Sequence, residues 1–281
     1  MGEFVCCPAE AVRAAEAVCG PAVLTVVSDR RGSTVWKACG VAGAMAVKVG
    51  YGEGVEVTAR EAAVLQRLPG ETVAWGRHEG GVWFVTPWLA GASTWGLFEP
   101  VRLRAEGRAE ALAGAVGLCR AVASLHASGW VHGDLQPAHG IHTEAGVRLI
   151  DFAWAWHSDF EQHLGFKGGI THLVAPELAA AIQEGVRPVR PSAAADVYAL
   201  AGSLWTCVTG RWPLDYAAVG IDPKVLGPEG LRCAIATGVV PLDSNEPWAA
   251  LQRGLGQVLK AEAGDRPTAA ELGDVLGVIP C

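Results

Sequence analysis

Hydrophobic spacing changes period near residue 90, and this change constrains the fold more than any other feature of the 281-residue chain. Before it, short apolar runs bounded by Gly and charged turns predict strands at 22–27, 33–38, 44–49, 72–76 and 82–88. A stretch at 8–19 reads as an amphipathic helix stopped by Gly20-Pro21. A second, at 55–68, sets Val57, Val64, Leu65 and Leu68 on a face and ends at Pro69-Gly70. Beyond Gly91 long helical patterns dominate, at 106–128, 193–208, 247–259 and 268–276, around a Gly- and His-rich middle at 129–177. The expected class is α+β. Residues 1–90 form an N-terminal helix and a small β-rich lobe, residues 91–281 a larger helical lobe, with a cleft between the lobes as the natural ligand site.

Composition removes several function classes. With 51% hydrophobic and 18% charged residues the chain is not disordered. Its 22 Lys and Arg are scattered and its net charge is −7, so no nucleic-acid partner is expected. The most apolar stretch, 197–210, is 14 uncharged residues, short of the ~20 of a membrane-spanning helix, so no membrane partner is expected either. No basic segment precedes Cys6, so no signal peptide is expected. The eight cysteines include no C-x-x-C pair and read as free thiols of a reducing cytoplasm. Arg outnumbers Lys 17 to 5, a bias of GC-rich bacterial genomes that makes each lysine informative.

The chemistry-bearing segment is Val131-His132-Gly133-Asp134-Leu135-Gln136-Pro137-Ala138-His139. Val147, Leu149 and Ile150 then lead into Asp151-Phe152-Ala153, so Asp134 and Asp151 lie 17 residues apart, on a loop and at a strand end. A base and a metal-binding carboxylate can both reach one cleft from such positions.

With these residues in view, the chain resembles the protein kinase superfamily over residues ~22–276. Ala46-Val47-Lys48 is similar to the strand motif whose lysine holds nucleotide phosphates. The run from Arg60 to Leu68 resembles the helix that pairs a glutamate, here Glu61, with that lysine. His132-Gly133-Asp134 stands at the catalytic loop, Asp151-Phe152-Ala153 at the metal motif, and Ala175-Pro176-Glu177 at the end of an activation segment. Asp196 to Leu200 matches a buried helix, and Asp265-Arg266-Pro267-Thr268 a final element in which Arg266 pairs with Glu177. The last elements separate the chain from the aminoglycoside-kinase branch. The resemblance implies a two-lobed protein kinase-like fold that uses ATP with Mg²⁺ or Mn²⁺. It makes Lys48, Glu61 and Asp134 catalytic, Asp151 a metal ligand, and Asp196 a structural acceptor for the loop backbone. Adenine is expected at Thr86-Pro87-Trp88-Leu89, against backbone groups of Pro87 and Leu89.

Departures from the pattern are informative. Ser28, Arg30 and Ser33 stand where the phosphate-covering loop has glycines, and only Gly32 remains. Two readings stay open: Arg30 or Arg31 contacts phosphate by side chain, or the loop is solvated. Gln136 replaces a lysine that touches the γ-phosphate, and His139 replaces the Asn that binds a second metal, as a softer ligand suited to Mn²⁺. Gly133 replaces the arginine that reads a phosphorylated activation segment, and 151–177 offers only Ser158 and Thr171 as acceptors, so phospho-switching is not expected. Two functions follow. One is a phosphotransferase acting on a hydroxyl of a dedicated protein or peptide substrate. The alternative is a pseudokinase that serves as a binding or scaffold partner.

Overall fold

The computed structural model describes residues 6–68, 74–104, 106–160, 166 and 169–280. The chain is α+β and divides into two compact units, Met1–Leu89 and Ala90–Cys281.

In the first unit, β1 (Val23–Arg30), β2 (Ser33–Gly40), β3 (Gly43–Tyr51), β4 (Ala74–His78) and β5 (Gly81–Pro87) form one antiparallel sheet in the order β1-β2-β3-β5-β4. Strand alternation sorts its faces. Trp36 and Ala38 of β2, Met45, Val47 and Val49 of β3, and Trp83 and Val85 of β5 share a core with Ala11, Ala15 and Cys19 of α1 (Ala9–Cys19). Lys48, between Val47 and Val49, therefore points to the other face, where α2 (Val55–Leu65) packs on β3 and β5. Covered on both faces, Gly81 to Val85 are all buried. The helix expected over 55–68 ends at Leu65, and its buried side includes Thr58, Arg60 and Glu61 while Val57 is only half-buried. Apolar spacing placed Val64, Leu65 and Leu68 correctly, since all three are buried, but missed on Val57 and gave no sign of the buried polar residues. The expected stop at Pro69-Gly70 and the first two residues of the strand expected at 72–76 lie outside the described residues.

The second unit is mainly helical. Its long helices are α5 (Arg108–Ala127), α7 (Ala193–Thr209), α8 (Pro223–Ala236) and α9 (Ala249–Lys260). Shorter ones are α3 (Thr94–Leu97), α4 (Glu99–Arg104), α6 (Pro176–Gln183) and α10 (Ala269–Gly277). Every residue of α7 from Ala195 to Val208 is buried, as befits a helix apolar on all sides. Ser192 caps it by accepting from the Ala195 amide, and Gly210 ends it at φ 71°. α10 starts with a capping box of Thr268 and Glu271. Spacing did not reveal α8, whose pattern is interrupted by Gly227 at φ 70° and Pro228. A small antiparallel sheet, β6 (Ala92–Ser93), β7 (Gly140–Thr143) and β8 (Gly146–Leu149), carries the chain between the two expected acidic residues. Among the described residues no helix is long and apolar enough to cross a membrane, and the cysteines are free.

Candidate functional site

Within the first unit, the face of β3 that carries Lys48 meets Glu61 of α2. Lys48 Nζ donates to Glu61 Oε2 at 2.5 Å, with side-chain exposures of 17% and 5%. A carboxylate this buried needs a cation to offset its desolvation, and the pairing fixes the ammonium in place. Arg30 and Arg31 lie at the exposed β1–β2 turn, where Arg31 and Gly32 both adopt positive φ (53° and 69°), as a tight two-residue hairpin demands. The hairpin is held by its own residues. Asp29 Oδ1 accepts from Thr34 Oγ1 (2.8 Å) and the Tyr51 hydroxyl (2.6 Å), which lower the carboxyl pKa, and the Tyr51 amide donates to the Gly32 carbonyl (2.8 Å). Thr86 and Pro87 end β5 opposite Ala46 and Met45, and the Trp88 amide donates to the Ala44 carbonyl. The backbone of the half-buried Leu89 pairs with no other backbone group among the described residues.

Within the second unit, the loop at 131–139 is anchored from beneath. The buried Asp196 carboxylate of α7 accepts from the His132 amide (2.6 Å), the Gly133 amide (2.9 Å) and His126 Nε2 (3.0 Å). His132 is wholly buried. Its Nε2 donates to the Ile150 carbonyl (3.0 Å) and its Nδ1 accepts from the Asp134 amide (3.3 Å), so the ring is neutral with a fixed tautomer. Burial pushes its pKa down to about 4. Val131 and Trp156 exchange backbone hydrogen bonds, each 2.8 Å, tying the start of the following segment to the same loop.

Asp134, Asp151 and His139 are brought together by this frame. Asp134 keeps partial exposure, yet enclosure of its carboxyl pushes the pKa up to about 6, against the lowering effects of His139 and of the Gln136 amide, which donates to Oδ1 at 2.7 Å. Gly169 lies so close that a Cβ there would overlap Asp134 Oδ1. Asp151 adopts φ 65°, uncommon for a non-glycine residue and a form of local strain that collects at working sites. His139 Nδ1 sits 2.7 Å from the Asp134 carbonyl, an acceptor only, so Nδ1 carries the proton. Nε2 then faces Asp151 Oδ2 at 3.6 Å. This is too long for a hydrogen bond but close to the ~3.0–3.4 Å between neighbouring donors on an ion with bonds of about 2.1 Å. The pair thus fits a divalent cation, with two protein donors and a tautomer fixed from behind. Among the described residues no group of three or more metal-binding side chains occurs.

At the far end, Glu177 and Arg266 form a bidentate pair (2.7 and 2.9 Å), and Arg266 also donates to the carbonyls of Ala194 (3.1 Å) and Ala261 (3.2 Å). Sequence reasoning missed Gly169, whose only signal is a glycine directly ahead of Ile170. It also missed an open cavity of about 360 Å³ beside Gln136, whose walls come from separate stretches of chain. No protein-family model matches the chain, and no curated protein matches it in sequence.

Proposed function

We propose that the chain is an ATP-dependent phosphotransferase with a two-lobed, protein kinase-like fold, acting on a hydroxyl of a protein or peptide. One observation carries the reading: Asp134, with a pKa of about 6, stands on a loop clamped by the buried Asp196 carboxylate and within reach of Asp151 and His139. A clamp of this kind holds a carboxylate in place for work on a proton. The fully buried packing of α7 and the Glu177–Arg266 pair support the same reading.

Each residue then has a role. Lys48, oriented by Glu61, binds the nucleotide phosphates. The backbone at Pro87 and Leu89, beside Thr86, receives the base, and Arg30 and Arg31 lie on the β1–β2 hairpin that stands at the position of the phosphate-covering loop. Asp151 and His139 hold Mg²⁺ or Mn²⁺, which when bound draws charge from the β- and γ-phosphate oxygens. Asp134 orients the acceptor hydroxyl. As the hydroxyl oxygen forms its bond to the γ-phosphorus, the bond from that phosphorus to the β,γ-bridging oxygen breaks, ADP leaves with the electron pair, and the hydroxyl proton passes to the Asp134 carboxylate.

The test is phosphate transfer or release from γ-labelled ATP with either metal, comparing the native chain with Asp134→Asn. Loss of ~10²-fold or more is expected on removing the base; equal signals would overturn the reading. A nucleotide-holding scaffold without turnover is the second reading, favoured by the neutral Gln136 amide that occupies Asp134 Oδ1 in place of a cation. It predicts a thermal shift with millimolar ATP but no labelled product.

A further inference from the structure

The cavity beside the catalytic loop has no role in nucleotide chemistry, and its lining is specific. Trp95, Pro137, Ile170 and Trp212 give it apolar walls, while Gln136 and Arg211 supply its polar groups. Its volume of about 360 Å³ lies near the lower end of the ~300–1,000 Å³ of small-molecule pockets, room for one large side chain and its backbone.

Both indoles are fixed in advance. The Arg102 guanidinium lies 3.6 Å above the Trp95 ring and is itself held by the Cys207 carbonyl (2.9 Å). The Trp95 amide donates to the Pro137 carbonyl (2.8 Å), which fastens this wall to the catalytic loop. Trp212, also in the lining, is stacked by His172 (4.7 Å, 18°), which hydrogen-bonds the Tyr216 hydroxyl (3.1 Å). Trp95 nevertheless stays 41% exposed, a large aromatic surface left open to water. The backbone of Arg211 is locked to the Thr209 hydroxyl, and its exposed guanidinium pairs with no carboxylate among the described residues.

We propose that this cavity seats an aromatic side chain of the acceptor polypeptide, with an adjacent carboxylate bound by Arg211. The inference rests on the phosphotransferase reading for its occupant. The exposed indole surface of Trp95 selects an aromatic ring, and a guanidinium with no carboxylate partner among the described residues selects a carboxylate. Gln136 is both a wall of the cavity and the donor to Asp134 Oδ1, so the seated ring lies close to the reacting hydroxyl.

The test uses fluorescein-labelled, alanine-based nonapeptides with one serine and the pair Trp-Glu, Trp-Lys, Ala-Glu or Ala-Ala three residues before or after it. Anisotropy with the full chain, without nucleotide, is expected to rank Trp-Glu at least tenfold tighter than Ala-Ala or Trp-Lys. Arg211→Glu, an exposed substitution, should reverse the Glu-over-Lys preference. Equal affinity for all peptides, no binding of any, or an unaltered preference in Arg211→Glu would overturn the proposal. The two readings separate cleanly. Selective binding without label transfer from γ-labelled ATP leaves the cavity assignment standing and removes the phosphotransferase. Transfer without selectivity does the reverse.

Discussion

Replacing Asp196 by alanine is expected to destabilise the second unit by about 3–6 kcal/mol. The figure comes from the two backbone amides, His132 and Gly133, that donate to this carboxylate at 2.6 and 2.9 Å in a region closed to water. Each amide left without an acceptor costs roughly 1–3 kcal/mol, and hydrogen bonds to a charged group lie at the strong end of the range. Loss of the His126 contact adds to this. For a unit of this size each kcal/mol moves Tm by ~2–4 °C, so the transition should fall by ~6–24 °C. Asp196→Asn keeps an acceptor for one amide but turns an NH₂ toward a donor, and should fall between alanine and the native chain. The exposed helix cap Asp222, which accepts from the Lys224 amide at 2.9 Å, is the control, with an expected cost of ~1 kcal/mol for Asp222→Ala. Thermal and urea unfolding, followed by tryptophan fluorescence, measure all three variants. If Asp196→Ala shifts Tm no more than Asp222→Ala, the buried clamp is not what holds the loop.

Other outcomes follow from the same geometry. Glu177→Ala leaves the Arg266 side chain, 2% exposed, with the Ala194 and Ala261 carbonyls as its remaining hydrogen-bond acceptors. Urea titration should register about 3 kcal/mol lost, the lower end of the ~3–5 expected for breaking a buried pair. Gly169→Ala should push the Asp134 carboxylate away from Gln136 and cut phosphoryl transfer by ~10²-fold; a nucleotide-induced thermal shift unchanged from the native chain would localise the damage. Asp134 and His132 shift in opposite directions: Asp134 upward from 3.8 to about 6, His132 downward from 6.5 to about 4. As pH falls from 6.5 to 4, native Asp134 takes up a proton before its unfolded counterpart, which adds stability. Unfolded His132 takes one up before the native ring, which removes it. The two nearly cancel in the native chain. Asp134→Asn, lacking the first contribution of about 2 kcal/mol, should therefore lose Tm more steeply over that range; parallel slopes would refute the two shifts.

The sequence reading succeeded where a side chain's neighbour is dictated by periodicity or by a short motif. The strands of the first unit, α5, α7, α9 and α10, and the pairings of Lys48 with Glu61 and Arg266 with Glu177 all belong to this class. It failed where the fold overrides local pattern. The buried side of α2 carries Thr58, Arg60 and Glu61 beside Ala62, Val64 and Leu65, so a rule that seeks apolar faces finds only part of it. α8 was hidden by Gly227 and Pro228, which interrupt its helical spacing with a kink. The cavity left no trace in the sequence at all, because Trp95, Gln136 and Trp212 are neighbours only after folding.

The wholly buried ring of His132 has a further consequence. It bridges the Asp134 amide and the Ile150 carbonyl, while the Ile150 amide donates to the His139 carbonyl (3.0 Å), so the two ends of the β7–β8 hairpin are closed at its base. The spacing of Asp134 and Asp151 in space is therefore independent of how many residues lie between them. The exposed tip at Glu144 and Ala145 is a place where the chain can be lengthened, tagged or reopened as new termini, with both carboxylates kept in step.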